Sequence, residues 1–299
     1  RLADQLSALA DAVLEMVITL AWQTIASRHC DVPKFAVVAY GKLGGKELSY
    51  ASDLDLIYLY DDPSPEASKN YTRLVRRMMS WLTVQTSSGI LFDVDLRLRP
   101  NGENGLVVSS FEMFKRYQRN EDGTGAWPWE HQALTRARFC AGDRAIGQAF
   151  EKEREAILRL PRDKAKVFSD VSEMRARMLE GHPNPTSLFD VKHDRGGMVD
   201  VEFAVQAMVL AYSHKHPELV NSFGNILLLE MAARAGLIGE ELAQRCVSIY
   251  RNYRHIQRKH RLELGDGPVR VDRFAQSENI ATVMQLWKTV FGSEGPLRK

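Results

Sequence analysis

At 299 residues, with 44% hydrophobic and 26% charged side chains, the chain has the balance of a globular protein, which excludes a disordered or fibrous one. A count of 40 basic against 38 acidic side chains leaves a net charge of +2, too weak a field to argue for nucleic acid, so any phosphate-binding patch must be local. Cys30, Cys140 and Cys246 stand far apart without CxxC spacing, which excludes a disulfide framework or a cysteine zinc site and fits a reducing cytoplasm.

Residues 2–29 carry Leu2, Leu6, Leu9, Val13, Val17 and Leu20 at helical spacing, which predicts a long first helix closed by Pro33. No cleavage site follows it, so it is not read as a signal peptide, and the chain reads as a piece of a longer one. The stretch 199–212 is broken by Asp200, Glu202 and Gln206 and is shorter than the ~20 residues a membrane span needs, so no membrane segment is expected. Residues 35–40, valine-rich and apolar on both sides, predict a strand covered on both faces. Residues 54–60 predict a second strand, ended by Asp61, Asp62, Pro63 and Pro65, and Tyr71, Leu74, Val75, Met78 and Leu82 mark a helix.

A third strand is expected over 91–98, where Phe92, Val94, Leu96 and Leu98 alternate with Asp93, Asp95, Arg97 and Arg99. From Ser109, read with Glu112 as a capping box, strand signals stop. Helical patterns run near 129–139, 143–160, 163–180, 198–214, 222–235, 238–262 and 279–291. The fold expected is α+β and helix-rich, with a small mixed sheet followed by an all-helical bundle. Its parts are an N-terminal helix (1–31), a catalytic domain (32–145) and a helical domain (146–299).

The segment that carries chemistry is Gly41-Lys42-Leu43-Gly44-Gly45-Lys46-Glu47-Leu48, followed by Ser52-Asp53-Leu54-Asp55-Leu56. Asp53 and Asp55 are two apart at the start of a strand and leave the same face. Paired carboxylates repel unless a cation lies between them, and hard oxygens of this kind suit magnesium. An isolated Asp-x-Asp is more often an Asx turn entering a strand. The glycines just before it shift that balance, because backbone N–H groups of Gly44 and Gly45 can approach phosphate, with Lys42 and Lys46 offsetting its charge. Asp95 supplies the third carboxylate a two-metal site needs, although alternating charges on a half-exposed strand explain it as well.

A glycine pair, an Asp-x-Asp and a later strand carboxylate together resemble the polymerase-beta-like nucleotidyltransferase superfamily. Within it, the runs 40–48, 52–56 and 94–100 resemble glutamine synthetase adenylyltransferase, a family with two such domains, one attaching AMP to a tyrosine of glutamine synthetase and one removing it by phosphorolysis. The stretches TSSGIL (86–91), WPWEHQAL (127–134) and KHDRGGMVDVEF (192–203) resemble the attaching domain. The resemblance implies that Asp53, Asp55 and Asp95 hold two magnesium ions, and that Gly44, Gly45 and Ser52, with Lys42, Lys46, Arg97 and Arg99, meet the triphosphate of ATP. It also implies glutamine synthetase as protein substrate, a PII-type signal protein as regulator, and neither nucleic acid nor membrane as partner.

The superfamily's usual glycine-serine pair is Gly44-Gly45 here, so that serine hydroxyl is missing. A removing domain, a nucleotidyltransferase for another substrate and a non-catalytic regulatory copy are the alternatives. Three weaker signals have plainer readings as a helix cap, core packing and a solvated face. They are the segment 192–202, the pair Trp127 and Trp129, and the row Arg251, Arg254, Arg258 and Arg261.

Overall fold

In the computed structural model, which describes residues 2–221, 224–265 and 267–292, the valine-rich run forms β1 (Phe35–Ala39), buried at every position. Burial on both faces is what an uninterrupted apolar strand requires. β1 runs antiparallel to β2 (Leu54–Tyr60) on one side and to β5 (Arg138–Gly142) on the other. β2 takes a short parallel partner at each end, β3 (Val94–Asp95) at its start and β4 (Ser109–Ser110) at its finish. The order β3-β2-β1-β5 makes a small mixed sheet in a helix-rich α+β chain, as expected.

By contacts the chain divides into two units, Arg1–Ile157 and Leu158–Lys299. In the first, α1 (Leu2–Gln23) and α3 (Ala67–Thr83) bury Leu14, Ile18, Trp22, Leu74 and Met78 in one core with Phe35, Val37 and Leu56 of the sheet. Trp22 stacks on Tyr71 at 5.3 Å, and Tyr71 also stacks on Phe35 and Tyr60 at 5.7 and 5.2 Å. Each large apolar side chain so buried contributes roughly 1.5–3 kcal/mol. The unit is completed by α2 (Gly41–Gly44), α4 (Phe111–Gln118), α5 (Pro128–Leu134) and α6 (Arg144–Leu158).

Three expectations are corrected here. The third strand, expected over 91–98, is only Val94–Asp95, because the Arg97 N–H turns back to Asp95 Oδ1 at 2.8 Å. The Arg99 guanidinium then gathers the carbonyls of Leu96, Glu103 and Gly105 into a loop. Strands do not stop at Ser109 either. Residues 138–142 form β5, which the neighbouring helical pattern hid; Arg138 fixes it by donating to Leu43 O and to both oxygens of Asp11. At the next helix, Ser110 rather than Ser109 is the cap, its Oγ accepting the Met113 N–H.

α1, with 22 residues and a mean hydropathy of 1.4, is long and apolar enough to cross a membrane, which the longest-run reading passed over. Its packing accounts for part of that character, while Leu9, Met16 and Leu20 stay exposed. One face lies in the core, Asp11 holds Arg138, and Glu15 accepts the Gly142 N–H at 2.7 Å, so two acids tie the helix to β5.

The second unit holds α7 (Lys164–Gly181), α8 (Met198–Tyr212), α9 (Asn225–Arg234), α10 (Glu240–Leu264) and α11 (Ser277–Phe291), with an antiparallel pair of β6 (Phe189–Asp190) and β7 (Arg270–Val271). α8 is buried nearly all round. The helix expected over 222–235 includes Asn225–Arg234; residues 222 and 223 lie outside the described ones. Within 192–202, Asp200 is buried and accepts from Arg175 and Arg195, each at 2.6 Å, and from the Gly196 N–H at 2.7 Å. The segment is thus an internal ionic joint of this unit rather than a solvated cap.

Candidate active site

The site is built at the start of β2. Leu54 is buried, so Asp53 and Asp55 on either side of it leave the opposite face together. The parallel register sets Leu54 opposite Val94 and Asp55 opposite Asp95, with the Leu54 N–H donating to Asp93 O at 2.8 Å. Asp95 is therefore the carboxylate brought to the pair, while Asp93 stays exposed outside it. Carboxylate oxygens of Asp53, Asp55 and Asp95 lie within 4.8 Å of one another. Gly41, two residues past the end of β1, completes the wall. It has φ +54°, and a Cβ there would sit 2.0 Å from Asp55 Oδ2, so any side chain at this position would push the carboxylate aside and strain the backbone.

Charge in the cluster is unbalanced. Burial pushes the Asp55 carboxyl up to about 6, and repulsion from Asp53 and Asp95 adds to it, while Lys42 and Arg136 pull it back. Neither Asp53 nor Asp55 has a side-chain hydrogen bond or ion pair among the described residues. Asp95 is held well below the usual carboxylate range, first by the Arg97 guanidinium, whose Nε donates to Oδ2 at 2.8 Å, against the opposing effect of its own burial. Three hard oxygens, two of them unpartnered and the third already holding a cationic group, fit a divalent ion such as magnesium.

The other expected residues are placed less directly. Lys42 stands close enough to lower the Asp55 value, but the Lys46 ammonium is exposed and pairs with no described carboxylate. The Gly44 N–H donates to Tyr40 O at 2.8 Å and the Gly45 N–H to Gly41 O at 3.0 Å, so neither amide is open toward a phosphate as expected. The two glycines serve close packing instead. A Cβ at Gly44 would lie 1.9 Å from Arg136 O, and one at Gly45 would lie 2.4 Å from the Arg136 guanidinium. Ser52 is buried, its Oγ accepting the Ser49 N–H at 3.2 Å to close the turn into β2. Arg97 is drawn to the cluster through Asp95; Arg99 is occupied with its own loop.

Sequence reasoning missed Gly41 and Arg136. Arg136 is buried beneath the glycine turn, donates to Glu47 Oε2 at 2.7 Å and reaches Asp55 with its charge. The signal available was its position just after the 127–134 motif.

Fold and site together define a class: a helix-rich α+β protein whose mixed sheet presents three convergent aspartates beside a tightly packed glycine turn. Within that class the chain belongs to the glutamate-ammonia ligase adenylyltransferase family, whose model matches residues 1–153. It is 53% identical over 293 residues to the bifunctional glutamine synthetase adenylyltransferase/adenylyl-removing enzyme of Aromatoleum aromaticum, covering 98% of this chain and 31% of that one. Its counterparts of the same name in Ralstonia nicotianae and Burkholderia mallei are 54% and 52% identical, over 98% and 97% of this chain and 30% and 32% of theirs. The chain thus spans about a third of the length of the curated relatives it matches.

Proposed function

We propose that this chain transfers AMP from ATP to a tyrosine hydroxyl of glutamine synthetase, releasing pyrophosphate, under control of a PII-type signal protein in the cytoplasm. The observation that carries the reading is the convergence of Asp53, Asp55 and Asp95, with Asp55 half-buried and unpartnered. The family and the names of its relatives support the substrate class.

Asp53, Asp55 and Asp95 would hold two magnesium ions, which when bound supply charge neutralisation at the phosphates and lower the pKa of the attacking hydroxyl. The chain's own residues do the rest. Lys42 and Arg97, the cations beside the aspartates, offset the charge of the triphosphate; in the in-line attack the bond between the tyrosine oxygen and the α-phosphorus forms as the bond to pyrophosphate breaks. Asp95 Oδ2, held only by the Arg97 guanidinium, takes the tyrosine proton once that side chain leaves it, while Oδ1 keeps the Arg97 N–H. Arg97 is 72% exposed at its side chain and free to swing to the departing pyrophosphate, with Lys42 as the second cation there. Arg136, locked by Glu47, keeps the glycine turn from shifting under that charge.

The test is incubation with α-labelled ATP, magnesium and glutamine synthetase. Label should appear on the synthetase and pyrophosphate in solution; release of labelled AMP to water with an unmodified synthetase would overturn the assignment.

A further inference from the structure

Several surface cations of the first unit are held in ion pairs. Lys69 pairs with Glu66, Lys115 with Glu112, Arg116 with Asp122 and Arg119 with Glu153. Arg73, Arg76 and Arg77 make no ion pair with any described residue, although they share one face of α3 at helical spacing. Like charges three and four apart cost a helix a few tenths of a kcal/mol per pair, so the helix alone gains nothing from this row. The three line a shallow, open groove of about 590 Å³ with Thr24, Ser27 and Ser80. The inner side of α3, through Leu74, Val75 and Met78, is in the core, so the groove faces away from the sheet and its carboxylates.

We propose that this groove docks an acidic segment of a partner protein, through carboxylate side chains. Guanidinium groups recognise carboxylates and phosphates alike, and the layout separates the two. A single phosphate wants cations converging on one point. Here Arg73 is turned aside to donate to Ser27 Oγ, and the arginines from Arg73 to Arg77 form a row roughly 6 Å long at 1.5 Å per helical residue. An extended peptide places same-side groups roughly 7 Å apart, so two acidic side chains span such a row. The hydroxyl of Ser80 flanks it, whereas that of Thr24 already donates to Ala21 O at 2.7 Å.

The experiment titrates a fluorescein-labelled hexaglutamate peptide with the full chain and follows fluorescence anisotropy at low and physiological salt. Binding should weaken with salt, and the triple variant Arg73→Gln, Arg76→Gln, Arg77→Gln should bind about tenfold more weakly or worse. The control Lys115→Gln, Arg116→Gln, removing paired cations of the same unit, should change affinity less than about twofold. All three targets are exposed, so circular dichroism of the triple variant should match the parent; Arg76→Gln alone, with a loss of about two- to threefold, keeps the test intact if it does not. No binding above a hexaserine peptide, or equal affinity in the triple variant, would overturn the proposal. Displacement by inorganic phosphate far more readily than by free glutamate would overturn it in favour of a phosphate ligand.

Discussion

Asp53, Asp55 and Asp95 carry unequal burdens, and the structure ranks them. Asp55 has the most to gain from a bound cation, since burial and two like charges oppose its ionised form. Asp53→Asn or Asp55→Asn should leave the fold intact and lower AMP transfer by about 10²-fold or more, the scale of losing a main electrostatic element; a folded variant with near-parental turnover would remove the metal assignment. Asp95→Asn should be far more damaging than Asp93→Asn, because register sets Asp95 beside Asp55 and leaves Asp93 exposed. The same assay on both variants decides it, and the reverse order would mean that the cluster binds its ion elsewhere. The glycines are ranked by stability instead. Gly44→Ala drives a Cβ into backbone at 1.9 and 2.6 Å, whereas Gly45→Ala meets the side chain of Arg136. We expect Gly44→Ala to cost about 3 kcal/mol or more and Gly45→Ala roughly 1–3, read from urea unfolding.

At the scale of elements, what a strand or helix owes to its own residues was legible, and what it owes to distant partners was not. β1 and β2 announced themselves by apolar runs, and Asp53 with Asp55 by their spacing. β3 was read four times too long because Asp-Arg alternation is the same on a strand face and in a loop where Arg97 and Arg99 turn back on carbonyls and a carboxylate. β5 was invisible, and Arg136 was marked only by its place after the 127–134 motif, because their roles are tertiary: nothing local says that Arg138 reaches Asp11 across 127 residues. The turn that leads from β6 into the segment 192–202 gives an element-level prediction of its own. Burial would raise the Asp190 carboxyl, but hydrogen bonds from the His193 ring and from the His193 and Lys192 N–H groups outweigh it and bring it to about 2. A depressed folded value gives stability that is whole above the unfolded pKa near ~3.9 and is lost as pH falls through about 2. Allowing for solvent screening, the contribution is on the order of 1 kcal/mol. Asp190→Asn should therefore be less stable than the parent at about pH 6, with the gap shrinking by about half near pH 3; a gap independent of pH would mean that packing, not ionisation, carries it.

For the molecule as a whole, the decisive question is the direction of the chemistry. The relatives carry both an attaching and a removing activity in their name, and this chain matches about a third of their length. Among the described residues it presents one cluster of three aspartates, at one sheet. Transfer from ATP and removal by orthophosphate are distinct reactions: the first yields pyrophosphate, the second yields ADP, and a site that orients a triphosphate for one has no need to hold orthophosphate for the other. We expect this chain to attach AMP efficiently and to remove it with orthophosphate slowly or not at all. Pyrophosphate should still return AMP to ATP at a modest rate, since a catalyst of transfer from ATP must catalyse its reverse. The measurement offers AMP-modified glutamine synthetase with magnesium and either orthophosphate or pyrophosphate, and follows ADP and ATP. Asp55→Asn in parallel ties any product to the cluster, because both reactions should fall together if they share it. Slow ATP from pyrophosphate and little ADP from orthophosphate would agree with an attaching domain, whereas rapid ADP formation, abolished by Asp55→Asn, would assign these same aspartates to the removing half of the family.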